Sequence, residues 1–403
     1  RGFEGFLPGP TDTSNMKPVV RRRTVLAGVG VAIAGCASDD GNSERTPTPD
    51  DEREPLSGSW PTFAHDVANT GHVSGIDGPY TEIGREWTFE TDGPVTASPA
   101  IEGNTLYVGS VGGAVYALDP YVGAEIWSFE TDGPVTTTPA VVDGTVYVGS
   151  GDDRLYALDA DDGSERWSRD VGGRIDASPT VVDGTVYVGS VSSAVIGLDT
   201  DDGSEKWRFG TGASVLGAPA VVDGTVYAGS GDQRVYAIDA GEGVERWSFG
   251  TRGSVAGAPA VVDGTVYAGS RDGNVYALDP ADGSRRWTFE VGSPVQPSPT
   301  VVDRRLFVGS NDGYLYALGL GGDAPDGLWR FRTGGSITGS VAATDTHVFV
   351  GSTSGNLFAI LPSDGDNVWR FETDSEIQEG PAVAEEWLYF GTTDGTVHAI
   401  GSG

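Results

Sequence analysis

Along most of the chain, apolar residues alternate with small or polar ones in short runs, and turn residues separate the runs. VVDGTVYVGS at 141–150 is typical: it recurs letter for letter at 181–190 and, as VVDGTVYAGS, at 221–230 and 261–270. Alternation with a period of two predicts half-buried β-strands. Asp-Gly between two such runs predicts a tight hairpin. Each unit then parses into four strands. Strand A ends at Val142, B covers 145–150, C covers 154–160, and D, after the turn DDGSE at 161–165, carries Trp167. No stretch reads as a long amphipathic helix.

The period is regular. Trp87, Trp127, Trp167, Trp207, Trp247 and Trp287 stand forty residues apart, and Trp329 and Trp369 follow after 42 and 40. Copies of the B strand start at Leu106, Val146, Val186, Val226, Val266, Leu306, Val348 and Leu388. A β-rich period of this length marks propeller blades. The predicted fold is all-β: an eight-bladed β-propeller of four-stranded antiparallel blades over residues 85–403. Its first strand, REWTFE at 85–90, is of the D type, and its last, TVHAI at 396–400, is of the C type. The strand around Trp87 is therefore expected to complete the eighth blade. That closure covers two sheet edges that would otherwise invite aggregation.

In several units, an Ala-x-Asp triplet is followed by a glycine four residues later and a tryptophan four beyond that. Examples are Ala117-Leu118-Asp119, Gly123 and Trp127, and Ala157-Leu158-Asp159, Gly163 and Trp167. Ala237 to Trp247 and Ala277 to Trp287 keep the pattern, and Gly197 replaces the alanine in one copy. The pattern resembles the PQQ-like (pyrroloquinoline-quinone-type) repeat family, in which it implies blade docking: the indole packs on the neighbouring blade and the Asp ties down the turn. The sixth unit departs from it, with Gly319 in place of the Asp and two extra residues in GLGGDAPDG. SWPTFAHDVANTG at 59–71 resembles a lead-in common in the family, so 59–84 is expected to pack on the propeller.

The N-terminal region reads as an address. Met16 is the sole methionine, so residues 1–15 are taken as a mis-annotated upstream extension. Arg21, Arg22 and Arg23 precede a weakly apolar run from Val25 to Ala34, too short for a bilayer core of about 30 Å. Residues 16–36 thus resemble a twin-arginine-type signal peptide. Ile33-Ala34-Gly35-Cys36 resembles a lipobox, with Cys36 lipidated. Residues 37–58 hold Leu56 as their single large aliphatic side chain and are expected to be a disordered linker. The expected location is extracytoplasmic, on the outer side of the cytoplasmic membrane.

Charge narrows the partners. The formal net charge is −33, with 38 aspartates and only two lysines, Lys17 and Lys206. Phosphate binding needs a basic patch, so a nucleic-acid partner is excluded. The composition resembles that of halophile proteins, pointing to a haloarchaeal source. The carboxylates repel one another in dilute buffer, and molar salt shortens the screening length to about 3 Å.

Signals of catalysis are weak. The quinone-dependent dehydrogenases that share the repeat hold PQQ against two adjacent cysteines, with calcium on acidic and amide side chains. Cys36 is the only cysteine here. The turns DADDG at 159–163 and DTDDG at 199–203 read as turns and not as calcium loops, which need a bidentate Glu at position twelve. His65, Asp66 and His72 do not have a metal-ligand spacing. No catalytic residues, cofactor or metal are therefore assigned.

Comparing the copies places recognition elsewhere. The A–B and C–D turns share one face and scarcely vary. The B–C turns and D–A crossings share the other and do vary. Their axis-proximal positions are Thr96, Thr136, Asp176, Leu216, Ala256, Gln296, Thr338 and Gln378. Variation on a rigid scaffold is where recognition is encoded, and Arg174, Asp176, Arg252, Gln296, Tyr314, Glu376 and Gln378 are the candidate groups. The expectation is a non-catalytic, lipid-anchored, monomeric propeller that binds protein partners at the cell envelope. It is similar to the BamB-type lipoproteins, which help assemble outer-membrane barrels, a role that does not carry over to a haloarchaeal source, which has no outer membrane. The alternative is a quinoprotein-like redox or ligand-binding protein that uses the axial channel.

Overall fold

The computed structural model describes residue 56 and residues 59–80, 83–322 and 324–402. The expected upstream extension and signal peptide, with Arg21, Arg22, Arg23 and Cys36, lie outside the described residues, as does nearly all of the expected linker. Eight four-stranded antiparallel sheets follow one another around a ring. Seven are built from consecutive strands. The eighth takes its outer strand from β1 (Ile83–Glu90), which pairs with the last strand, Thr396–Ser402. The propeller and its closure are as the repeat predicts, with β1 starting two residues earlier.

The hairpin chemistry explains the constant phrase. Asp143 and Gly144 both have positive φ, 48° and 69°, as a type I′ turn requires. Asp183, Asp223 and Asp263 repeat this conformation. Val146, Tyr147 and Val148 of the following strand are buried.

Blades dock through the tryptophans. Trp87, Trp127, Trp167, Trp207 and Trp247 each donate Nε1–H to the carbonyl of Pro120, Ala160, Thr200, Ala240 or Pro280 on the next blade, at 2.8–2.9 Å. The motif glycine lies under the same indole: Gly123 has φ of 67°, and a Cβ there would collide with Trp87. Trp369 donates instead to Pro79 in the lead-in, which stands where blade eight would have its C–D turn. The motif Asp does cap its turn, as Asp159 Oδ1 accepts from the Asp161 amide at 3.0 Å.

One regularity was not visible in the sequence. Every D strand slips register beside its tryptophan, with Trp127 opposite Ala117 but Glu125 opposite Leu118. The residue before each tryptophan therefore sits in a β-bulge. In blades two to five this residue is a cation that clamps the motif Asp, as in Arg166–Asp159 at 2.9 Å and Lys206–Asp199 at 3.1 Å. Ile126, Leu328 and Val368 occupy the bulge in blades one, six and seven and are exposed, and Glu86 occupies it in blade eight.

The lead-in crosses the face that carries the A–B turns. Trp60 forms a bridge with Ile101. Pro61, Val67, Ala68, Thr70 and Gly71 then offer carbonyls to the amides of Val141, Val221, Val261, Val301 and Ala343, on the innermost strands of blades two and four to seven. Leu56 is buried in the cluster that holds Trp60 and Trp87, so packing begins inside the stretch 37–58 expected to be linker.

Candidate functional site

The crossings aim their side chains at the axis for a local reason. Each axis-proximal residue follows a buried β-branched one: Val95, Val135, Ile175, Val215, Val255, Val295, Ile337 or Ile377. The glycine that ends each B strand makes room for it; a Cβ at Gly149 would strike Ile175. An amide hydrogen bond such as Val135 N–H to Ser110 O, 2.9 Å, fixes the segment further. With that residue pinned outward, its successor must point inward.

All eight axis-proximal residues accordingly line one cavity of about 470 Å³. Phe63 of the lead-in also lines it. Phe63 and Ala64 pack on Ala218 and Ala258, and Asn69 donates to the carbonyls of Ala218 and Pro259 at 3.1 and 3.2 Å. The lead-in thus stops the channel on the constant face, and the channel is a cup that opens on the variable one. Asp66 stiffens the plug. Burial raises its pKa, but the His65 imidazole 3.7 Å away and hydrogen bonds from Thr70 outweigh this and hold the carboxyl below its usual range.

The polar groups around the cup are largely engaged with one another. Arg174 donates to Asp176 Oδ2 through Nε and Nη2, at 3.0 and 2.7 Å. Thr136 Oγ1 reaches Asp176 Oδ1 at 3.3 Å. Arg271 donates to Gln296 Oε1 at 2.6 Å, and Gln296 donates to Asn311 at 2.7 Å. Gln378 donates to Glu376 at 3.0 Å. Between Asp176 and Gln296 around the ring, Leu216 and Ala256 give the wall an apolar stretch next to Phe63.

Glu379 breaks the ring's symmetry. The equivalent positions are Ala97, Thr137, Ala177, Gly217, Gly257, Pro297 and Gly339, all uncharged and mostly small. In the ring, the Thr138 and Ala258 amides donate to the hydroxyls of Ser178 and Ser298 on the next blade, both at 2.9 Å. Blade eight has Gly380 where that serine would be, and Glu379 Oε2 accepts from the Ser340 amide instead, at 3.2 Å. The carboxyl is enclosed by protein except toward the cup. Burial pushes it up to about 7 against the pull of the Ser340 and Gly380 amides.

Four of the seven candidate recognition residues, Arg174, Asp176, Gln296 and Gln378, meet in the cup, and Glu376 sits at its lip through Gln378. Arg252 and Tyr314 stand apart. The Arg252 amide bonds Asp272, and Tyr314 lies under the Arg330 guanidinium, 4.7 Å from the ring centre. Part of the variable face is structural. Asp152, Asp232, Asp272 and Asp312 in the B–C turns each accept from a C-strand tyrosine hydroxyl at 2.6–2.7 Å. Glu379, Arg271 and Phe63 escaped the sequence reading. For Glu379 a signal existed, since its column is otherwise uncharged.

Among the described residues no three His, Cys, Asp or Glu side chains gather where they could hold a metal ion, and Asp176 already carries Arg174. His72, one of the three residues weighed for a metal, bonds Asp345 at 2.8 Å.

Comparisons with known proteins agree on architecture. Residues 142–401 match the family described as the β-propeller of beta-alanine-activating enzyme, and residues 71–175 match the outer membrane protein assembly factor BamB. No curated protein matches the sequence. Among solved structures, BamB from Moraxella catarrhalis is similar at 23% identity, with a TM-score of 0.69, covering 79% of this chain and all of that one. The computationally designed Ika8 protein is similar at 21% identity and 0.71, over 78% of this chain and 99% of that one. Quinohemoprotein alcohol dehydrogenase from Comamonas testosteroni is similar at 16% identity and 0.73, over 85% and 80%. Identities this low speak for the fold alone. The first family match spans well over half of the chain, and with the PQQ-like repeat and eight closed blades it places the chain in the β-propeller family of beta-alanine-activating enzyme.

Proposed function

We propose that this protein is a non-catalytic binding propeller of the cell envelope, which docks protein partners on its variable face while its opposite face only folds and carries the lead-in. The observation that carries this reading is the asymmetry of the ring. One face repeats the same turns and is sealed at the axis by Phe63 and Asn69. The other gathers Arg174, Asp176, Gln296 and Gln378 around an open cup. The match of residues 71–175 to the BamB family supports envelope assembly as the setting. Attachment through a lipid on Cys36, after twin-arginine export, belongs to the same proposal. It sets the protein on the outer side of the cytoplasmic membrane as a monomer without PQQ or metal.

Crosslinking and affinity capture from native membranes, kept in molar salt, test it. Alanine at Arg174, Arg252, Gln296, Tyr314, Glu376 and Gln378 together should remove partners that the wild type captures. Unchanged capture by that variant refutes the face assignment. Cys36→Ser should release the protein from the membrane fraction. Added PQQ and calcium should give no visible spectrum and no alcohol oxidation.

A further inference from the structure

We propose that the axial cup is a binding site for a small organic amine, with its ammonium group against Glu379 and its apolar body against Leu216, Ala256 and Phe63. The site is separate from partner docking on the rim and does not depend on it. The volume of about 470 Å³ falls within the ordinary range of small-ligand pockets, about 300–1,000 Å³. The ring order puts the two halves of the site face to face. Glu379 begins blade eight, and Leu216 begins blade four, half a turn away in a ring of eight.

The ligand class follows from what is already spoken for. Charged groups facing the cup besides Glu379 are Arg174 and Asp176 on blade three, Arg271 on blade five, and Glu376 at the lip. Arg174 and Asp176 neutralise each other at 2.7 Å. Arg271 is turned onto Gln296, and Glu376 receives Gln378. Glu379 has two backbone amides for neighbours and no cation acting on it. An anion would have to break the Arg174 pair or draw Arg271 off Gln296 to gain a charge partner. A metal ion would find one carboxylate and no further ligand cluster among the described residues. An ammonium group supplies both the missing charge and hydrogen-bond donors, and a charge-assisted hydrogen bond is the strongest contact this wall can make. The net charge of −33 raises the local concentration of cations at the mouth.

Calorimetric titration of the full chain in molar KCl, with benzylamine as the probe and benzyl alcohol as its uncharged counterpart, tests the site. The wild type should bind benzylamine above the carboxyl's titration near 7 and prefer it to benzyl alcohol. Glu379→Gln should weaken benzylamine by roughly tenfold or more. Glu242→Gln, exposed in a C–D turn on the opposite face, should leave it unchanged. Equal affinity of wild type and Glu379→Gln for benzylamine, or no wild-type binding at saturating probe, overturns the proposal. A second readout needs no variant. Near pH 7, seating the ammonium drives a proton from the Glu379 carboxyl to the buffer. The measured heat should therefore change with the buffer's ionisation enthalpy, and a heat that does not change overturns the proposal whatever the variant's stability.

Discussion

Replacing Trp87 with alanine separates the work of an indole from the work of ring closure, because Trp247 is its matched control. Trp87 and Trp247 are 9% and 8% exposed. Both donate to a proline carbonyl at 2.8 Å, and both lie against a glycine of the next blade, Gly123 or Gly283. Emptying either site costs about 3–5 kcal/mol in lost burial and cavity, plus about 1 kcal/mol for the hydrogen bond. The Pro120 carbonyl is not stranded by the change, since Tyr389 also donates to it at 3.2 Å. Local contacts thus predict equal losses. Topology does not. The blade of Trp247 is joined covalently to both neighbours, whereas β1 is held by its ladder with the last strand and by the Trp87 dock. Ordering each of its eight residues costs about 1–2 kcal/mol of backbone entropy, so losing the dock should let β1 peel. In urea at molar KCl, Trp247→Ala should lower the midpoint at constant slope. Trp87→Ala should lower both midpoint and slope, and trypsin should cut after Arg85 in that variant alone. Equal slopes together with equal protection at Arg85 would refute closure by β1.

Other perturbations have signs that follow from the structure. Gly123→Ala combines a positive φ with a collision on Trp87 and should cost roughly 1–3 kcal/mol. Gly103→Ala has φ of 59° but open space for its Cβ, so its loss of melting temperature should be the smaller. Burial, with Arg85 adding to it, pushes the His398 imidazole down to about 4, so its stabilising share is full above about 6.5 and is lost as pH falls through 4, a swing of about 3 kcal/mol. Glu379 runs the other way, its share full below 4.5 and lost as pH rises through about 7; the unfolding midpoint of His398→Gln should therefore rise on acidification from pH 7 to 5, and that of Glu379→Gln should fall. The midpoint of the wild type should climb with KCl from about 0.1 M, where the Debye length is about 10 Å, to about 1 M, where it is about 3 Å; a flat response would refute carboxylate repulsion as a destabilising load.

The fold was legible because its signals are local and repeated. An Asp-Gly pair needs no tertiary partner to announce a hairpin, and Trp87 to Trp369 mark the blades by spacing alone. The axis-proximal column was legible as well, since crossing topology fixes which residue points inward. What stayed hidden depends on register or on segments meeting across the ring. The bulge that turns Arg166 toward Asp159 and Thr145 requires a slip between strands that alternation cannot reveal. The plug needs Phe63 to meet Ala218 and Ala258, more than 150 residues away. The aspartates of the B–C turns look like free variation until Asp152 is seen to hold Tyr156 and the Asp132 amide together.

A repeat chain is informative where it departs from itself, but a departure counts only if the ring does not already explain it. Gly380 is explained: the Ser340 carbonyl comes so close that any Cβ there would collide with it. Glu379 is half explained, because with serine excluded at 380 some neighbour must accept the Ser340 amide. An amide side chain at 379 would accept the same hydrogen bond without burying an ionisable group. A carboxyl pushed up to about 7 against an ordinary value of 4.5 gives up roughly 3 kcal/mol when it ionises in place, less whatever water in the cup returns. Folding alone therefore favours Gln at 379, and the chain carries Glu. The difference between those two side chains is one charge facing the cup, which is why Glu379→Gln is the substitution that separates a structural prop from a binding group.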